Sequence, residues 1–422
     1  MKNFPVYFFA LMLLNLVVLG GFRYGRQPNS SAKALPITRD VAKLASTAQD
    51  DQEKEDLLLK DFRPRSMLKG KTTKLTAASL PAIDVHTHFG YRLKGDNEKL
   101  DSFVDAMNRN NIAICVSLDA QLGEAFEDHT DYLWKNHKDR FAVFARVDWV
   151  GDGKRDDPST WACHRTDFGR RTSLQLREAV RRGACGLKLT KQFGLGYKNP
   201  NGSLIKIDDR RWDSIWKTCG ELGIPVIVHT ADPAAFFEPT DRNNERWEEL
   251  SRHSDWSFHG DSFPSREELL DARNRIIERH PQTKFICAHL ANNPEDLRTV
   301  ARWLDKYPNM YVEIASRIGE LGRQPYSTRE FLIDYRDRVL FGTDGPWPEL
   351  RLSYYWRFLE TFDEYFPYAE KEFPPQGFWR IYGVGLPRHV LSQIYFQNAL
   401  RVIPGLNEKY RRARIAIQES KR

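Results

Sequence analysis

Cysteine is scarce in this 422-residue chain, and the five present, at 115, 163, 185, 219 and 287, show no clustered spacing. An odd, dispersed set argues against a complete disulfide framework. Cys115, Cys185 and Cys287 lie in or beside apolar runs, where a buried free thiol is the expected state. No stripe of Lys/Arg interleaved with aromatics is present either, although the formal charge is +7 and the pI about 9.0. The excess sits at the ends. Residues 1–75 hold 13 Lys/Arg against 7 Asp/Glu, residues 408–422 hold 6 against 2, and residues 76–407 hold 45 against 48. A slightly acidic body of this kind excludes a nucleic-acid partner. No Gly-x-Gly-x-x-Gly follows the first strand-like run, which weighs against a dinucleotide-binding open sheet. What is present is ordinary globular composition, 41% hydrophobic and 29% charged, with 11 Trp, 16 Tyr and 25 Phe to fill an interior.

The apolar run from Phe4 to Phe22 reads as a signal peptide or membrane anchor within residues 1–22. It predicts an exported or membrane-anchored, extracytoplasmic protein, with membrane association through residues 4–22. The run has no Ala-x-Ala cleavage site, and the absence of a following Cys disfavours a lipoprotein anchor. Residues 23–75, rich in Lys, Asp, Ala, Ser and Thr, read as a linker, mostly disordered. Residues 406–422 read as a basic C-terminal tail.

Between these ends the pattern is regular. Apolar or β-branched runs occur at 82–86, 112–118, 141–147, 185–190, 225–229, 284–289, 310–315 and 338–343. Helical stretches at 98–108, 173–182, 209–222, 265–280, 294–306 and 328–335 lie between many of them. Ser265 with Glu268 is a capping-box signature. Strand–helix alternation implies parallel pairing with right-handed crossovers. Eight strands over this length predict an α/β fold, a single-domain (β/α)₈ TIM barrel over residues 78–405. In such a barrel the chemistry lies at the C-terminal ends of the strands.

Those ends carry ligand-type side chains. The first run ends in His86 and is followed by His88, and the two share one face because strand residues i and i+2 point together. The fifth run ends in His229 and the sixth in His289, and Asp344 directly follows the eighth. Each alone fits a capping His or a turn Asp. Five metal-competent residues at strand ends of one barrel point instead to a metal site. The remaining histidines fall in loops or at helix ends, where solvation is the default.

These residues carry a resemblance. His86-x-His88, Gly186-Leu187-Lys188, His229, His289, Gly342-Thr343-Asp344 and a closing stretch from Leu386-Pro387 to Arg401 resemble the amidohydrolase superfamily. The resemblance is to its metal-dependent hydrolase branch, that of aminocarboxymuconate-semialdehyde decarboxylase. It covers about residues 80–403. It implies one divalent metal per chain, zinc first, held by His86, His88, His229 and Asp344, with Asp344 also moving protons and His289 polarising substrate or donating a proton. Two metals are implied if Lys188 is carbamylated and bridges them; otherwise Lys188 pairs with an acid or a substrate carboxylate. Asp84 is expected to orient a ligand. The implied reaction is attack of a metal-activated water on an amide, ester or lactone of a small-molecule substrate, possessing an aromatic or carboxylated group. The alternative is non-oxidative decarboxylation of an aromatic or unsaturated acid. A non-catalytic surface barrel with a structural metal is a third reading, against which no extra Cys or His closes the ligand set.

Two further segments are candidates for shaping a pocket. The long stretch after the fifth run contains Trp256 and His259, and reads either as a lid over an aromatic or apolar substrate or as a small packed subdomain. After the seventh run, Glu313, Arg317 and Arg323 read as carboxylate-binding residues or as surface ion pairs.

Overall fold

A computed structural model describes residues 57–58, 61–371 and 376–421. The chain divides into two compact units, Met1–Arg65 and Ser66–Arg422. The apolar run at 4–22 lies outside the described residues. Among those described, no helix is long and apolar enough to cross a membrane.

All eight apolar runs form strands: β1 (Ala82–Thr87), β2 (Ile112–Gln121), β3 (Phe141–Arg146), β4 (Ala184–Leu189), β5 (Val226–Val228), β6 (Phe285–Cys287), β7 (Met310–Glu313) and β8 (Val339–Leu340). They pair in sequence order, each parallel to the next. The ring closes through backbone bonds. Val85 N–H donates to Phe341 O at 3.0 Å, Asp344 N–H to His86 O at 2.8 Å, and His88 N–H to Gly345 O at 2.6 Å. The stretches bearing His86, His88 and Asp344 are therefore sewn directly to one another. Burial on both faces explains why these strands read as continuous apolar runs. This is the (β/α)₈ barrel that the alternation predicts.

The helices that follow the strands are α1 (Asn97–Asn110), α2 (Glu124–His137), α3 (Phe168–Arg181), α4 (Asp213–Glu221), α5 (Arg266–Arg279), α6 (Leu297–Lys306), α7 (Pro325–Asp334) and α8 (Glu349–Glu360). The capping box expected at Ser265 is formed in both directions with Glu268. Gly186 is fixed by packing, since a Cβ there would lie 2.3 Å from the Phe144 ring.

Two boundaries shift. Residues 66–75, assigned by composition to the linker, belong to the barrel unit, where Thr73 donates from N and Oγ1 to Asp363 at 2.6 and 2.8 Å. The basic tail is in fact a helix, α9 (Leu406–Ser420). Its Leu406, Tyr410, Ala413 and Ile417 are buried in one cluster with Ile83, Ile114, Phe144, Ile227, Ile286 and Leu340 of the strands. Tyr410 Oη donates to Pro81 O at 2.9 Å, just ahead of β1, so α9 covers the end of the barrel away from the ligand residues. The cations of this segment lie on the other face of an amphipathic helix, which charge counting alone does not reveal.

The insertion between β5 and α5 is a packed subdomain. Phe236, Leu250 and Phe258 form a satellite core with Leu269 and Leu270 of α5. A short helix, Trp247–Arg252, and a turn, Ser254–Trp256, complete it.

Candidate active site

Strand β1 delivers His86 and His88 to the same spot, with their Nε2 atoms 3.2 Å apart. Asp344 Oδ1 lies 3.7 Å from the first and 3.4 Å from the second. His86, His88 and Asp344 thus offer three ligand atoms within 4.8 Å of one another. His229 is not in that group. Its ring packs against His289, 4.4 Å between centroids, and its Nε2 is buried without a hydrogen-bond partner, Asp232 Oδ1 being 3.4 Å away.

The tautomers of the first pair are set by carboxylates behind them, neither of which was assigned this role from sequence. Glu313, at the end of β7, is fully buried rather than a surface or substrate-binding acid. Its Oε1 meets His86 Nδ1 at 2.9 Å and accepts the His289 N–H at 2.7 Å, while Oε2 accepts the Ala315 N–H at 2.5 Å. With both oxygens accepting backbone N–H groups, the ionised form fits, and His86 Nδ1 carries the ring proton. Burial pushes the Glu313 carboxyl up, and these donors with Lys188 oppose it. Asp119, near the end of β2, meets His88 Nδ1 at 2.6 Å and accepts the Tyr91 N–H at 3.2 Å. Burial raises its carboxyl, but His88 outweighs that and holds it below the ordinary range. Both Nε2 atoms are then bare lone pairs facing each other.

That arrangement fits a cation. Two imidazole lone pairs at 3.2 Å beside a carboxylate repel unless a positive centre lies among them, and bonds of about 2.0–2.1 Å to one ion leave such a separation. The buried Nε2 of His229, which faces Asp232 without a well-formed hydrogen bond, is a further lone pair nearby. Burial and Lys188 keep the His86 imidazole neutral, its pKa well below the usual value. A site for one divalent ion follows from the donor set, while the identity of the ion does not.

The backbone around these groups is strained. Residues His289, Leu290, Ala291 and Asn292 have φ of 56°, 52°, 58° and 52°, a left-handed turn at about 1–2 kcal/mol per residue. Ser316 and Asp344 also have positive φ. The turn is held by partners from three directions. Asn292 Oδ1 accepts the Thr230 N–H at 2.9 Å, Arg266 Nη2 donates to Asn292 O at 2.6 Å, and Arg273 Nη1 donates to Ala291 O at 2.5 Å. It aims His289 so that Nδ1 meets Ala315 O at 2.8 Å. A carbonyl only accepts, so Nδ1 carries the proton and Nε2 is a lone pair. Burial, with His229 and Arg317 nearby, holds the ring neutral. In this tautomer His289 Nε2 is free to accept a proton or to ligate.

Asp84 holds the ligand residue His86 through its backbone N–H and fixes Thr343 beside Asp344. It accepts from His86 N at 3.1 Å, Thr343 N at 3.0 Å and Thr343 Oγ1 at 2.5 Å, and burial pushes its carboxyl up to about 7. Gly342 is required here because a Cβ would lie 2.7 Å from Glu313 Oε2. Lys188 is buried with Nζ 3.4 Å from His86 Nε2, and burial lowers its ammonium to about 8. Asp344 is pushed up by burial, but His86, His88, Arg92 and Lys188 together hold it below the ordinary carboxylate value.

Above these groups lies a cavity of about 270 Å³ lined by His229, His289, Arg317, Asp344, Trp256 and Trp347 among others. Arg317 is buried, donates from Nη1 to Ser316 O at 2.8 Å, and has an unpartnered Nε. Trp256 is at the wall, as expected. His259 and Arg323 are not. His259 is exposed, with Nδ1 3.2 Å from Phe237 O. Arg323 pairs with Glu245 at 2.7 and 3.0 Å and lies over the Trp379 ring. Arg92, not singled out from sequence, lines the cavity, donates to Asp344 O at 3.0 Å and stacks 3.7 Å from the Trp347 ring centre.

The chain is similar in fold to several solved structures. One is 2,6-dihydroxybenzoate decarboxylase from Rhizobium, at 15% identity, 77% of this chain, 98% of that chain and a TM-score of 0.44. A second is a dihydroxybenzoic acid decarboxylase from Polaromonas with bound manganese, at 14%, 77%, 96% and 0.43. A third is a probable 2-pyrone-4,6-dicarboxylic acid hydrolase from Acinetobacter baumannii, at 11%, 76%, 98% and 0.39. A family model described as Amidohydrolase matches residues 83–405, from β1 through the stretch that follows α8. With that match over most of its length and the His-His-Asp group at its strand ends, the chain belongs to the amidohydrolase family.

Proposed function

We propose that the protein is a metal-dependent hydrolase acting on an amide, ester or lactone of a small, carboxylated substrate. The observation that carries this reading is the pair of bare Nε2 atoms on His86 and His88, locked by Glu313 and Asp119 beside Asp344. When bound there, a divalent ion, zinc first, supplies Lewis-acid polarisation and acidifies a water. The protein's own groups do the rest. Asp344 Oδ1 takes the proton of the attacking water and returns it to the leaving group. Ser316 Oγ, donating to Asp344 Oδ2 at 3.1 Å, keeps the other oxygen turned away. His289 Nε2 is the second proton acceptor. Arg317 binds the substrate carboxylate, and Trp256 and Trp347 exclude water from the cavity above.

Removal of metal by a chelator is expected to reduce turnover to background, with recovery on adding about one equivalent of zinc per chain. Two equivalents, with carbamate carbon on Lys188, would assign a binuclear centre. In a panel of amides, lactones and aromatic acids, release of CO₂ without consumption of water would replace hydrolysis by decarboxylation. We also propose that the protein works outside the cytoplasm through residues 4–22. Cell fractionation of the full chain should place activity in the membrane or exported fraction, and recovery in the cytosol would refute this.

A further inference from the structure

A second cavity reaches the ligand residues from another side. It measures about 580 Å³ and is walled by His229, the one lining residue it shares with the cavity at Arg317. Small-molecule sites commonly enclose about 300–1,000 Å³. Three segments build it. The stretch after β4 folds back on itself, with Gly194 N–H donating to Ile205 O and Ile205 N–H to Tyr197 O, each at 2.8 Å. The end of the β5 insertion adds Phe263 and Pro264, and the first turns of α5 add Leu269 and Ala272. Gly194 is where the first segment meets the last. Its φ is 82°, and a Cβ there would lie 2.3 Å from Leu269 Cδ2, so glycine lets the folded stretch close against α5.

This wall differs in chemistry from that of the inner cavity, where Arg92, Arg317 and Arg351 gather. Phe193, Leu204, Ile207, Phe263, Pro264 and Leu269 make it apolar, and its charged residues all stand exposed at the mouth. There Asp261, Glu268 and Asp271 outnumber Lys206 and Arg275, and Arg275 is already paired with Asp208 at 2.6 Å. One polar group is left inside. Thr230, 3% exposed, lines the cavity beside His229, and its Oγ1 has no hydrogen-bond partner among the described residues. A buried hydroxyl without a partner is costly, and water is poorly held by apolar walls that offer it few other bonds. An occupant that is apolar along its length and polar at its end satisfies both parts of the wall.

We propose that this cavity receives the uncharged arm of the substrate, an aryl or alkyl group ending in a hydroxyl or amide that bonds to Thr230 Oγ1. The substrate carboxylate stays in the inner cavity at Arg317, and in that respect the inference rests on the function proposed above. The arm passes beside the His229 ring. The acidic mouth opposes a second carboxylate at the end of the arm. No bond is made or broken in this cavity, and Thr230 is a binding residue.

The test is isothermal titration of the full zinc-loaded chain with benzoate and with benzoates carrying alkyl arms of graded length, each ended in methyl, hydroxyl or carboxylate. At the length that reaches the cavity, the hydroxyl-ended arm is expected to bind about tenfold tighter than benzoate and about fivefold tighter than the carboxylate-ended arm. Leu204 is half-buried and belongs to none of the core clusters, so Leu204→Trp fills the cavity from its wall. This variant should bring the gain from the arm below about twofold and leave benzoate binding unchanged. Thr230→Val should shift the hydroxyl-to-methyl ratio about fivefold towards methyl. The proposal is overturned if no arm length improves on benzoate, if the carboxylate-ended arm binds as well as the hydroxyl-ended one, or if the gain survives in Leu204→Trp. An unchanged hydroxyl-to-methyl ratio in Thr230→Val overturns it as well. So does independent, simultaneous binding of benzoate and 2-naphthol with no gain from an arm, which places a separate molecule in the cavity. The wild-type length series stands even where a variant fails to fold. Failure of the hydrolase reading appears separately, as absent or CO₂-releasing turnover in the substrate panel, with the binding series unaffected.

Discussion

Asp344→Asn is expected to lower kcat by about a thousandfold or more while the protein stays folded. The amide keeps the shape of the side chain and can still accept from Ser316 Oγ, now 3.1 Å away. It cannot take a proton from water, and it removes the negative charge facing His86 and His88 at 3.7 and 3.4 Å. Steady-state kinetics with metal content measured alongside separates the two losses. A variant that retains full metal yet loses turnover identifies Asp344 as the proton carrier, and one within tenfold of wild-type turnover removes it from that role. An unchanged melting temperature is part of the expectation, because the Asp344 N–H to His86 O bond that helps close the barrel is made by backbone.

Glu313→Gln is the second large effect, and it reaches the site from behind. Three donors converge on this carboxylate: His86 Nδ1, His289 N–H and Ala315 N–H. A glutamine replaces one acceptor oxygen with an NH₂, so a donor must face a donor in a fully buried position. The expected outcome is a 10–100-fold loss of metal affinity in a competitive chelator titration, as His86 loses its fixed tautomer. Unfolding free energy should fall by about 1.5–3 kcal/mol in a denaturant titration, from loss of a hydrogen bond to a charged group. Metal affinity within twofold of wild type would show that Glu313 supports the backbone alone.

The fold was legible because parallel strands buried on both faces announce themselves as apolar runs, and all eight did so. Their lengths were less legible. The last residues of the fifth, sixth and eighth runs leave the ladder at His229, His289 and Asp344, where the chain turns into the site. Helix α2 is not signalled by the sequence pattern: its N-cap is Gly123, which has no side chain to cap it, and it buries only Phe126, Thr130 and Leu133, a stripe too narrow to stand out in an acidic segment. The ligand residues were legible for the opposite reason, as reactive side chains ending apolar runs. Their supports were not. Glu313 lies 227 residues from His86 and Asp119 lies 31 from His88, separations that no local periodicity records. The available signal was positional, since both are acids at or near the ends of strands in a barrel that concentrates chemistry there. Arg323 and His259 show the limit of that signal, because they lie in loops whose path the strand pattern does not specify.

The left-handed turn at 289–292 sets stability and activity against each other. Four non-glycine residues held in that conformation are a reservoir of destabilisation, lodged in the segment that aims His289. Selection for heat resistance alone would favour glycine at Ala291, where relief of the left-handed strain of about 1–2 kcal/mol exceeds the loss of about 0.8 kcal/mol from one buried methyl group. The same change would widen the angular spread of the imidazole, so variants chosen for endurance should drift towards slower catalysis.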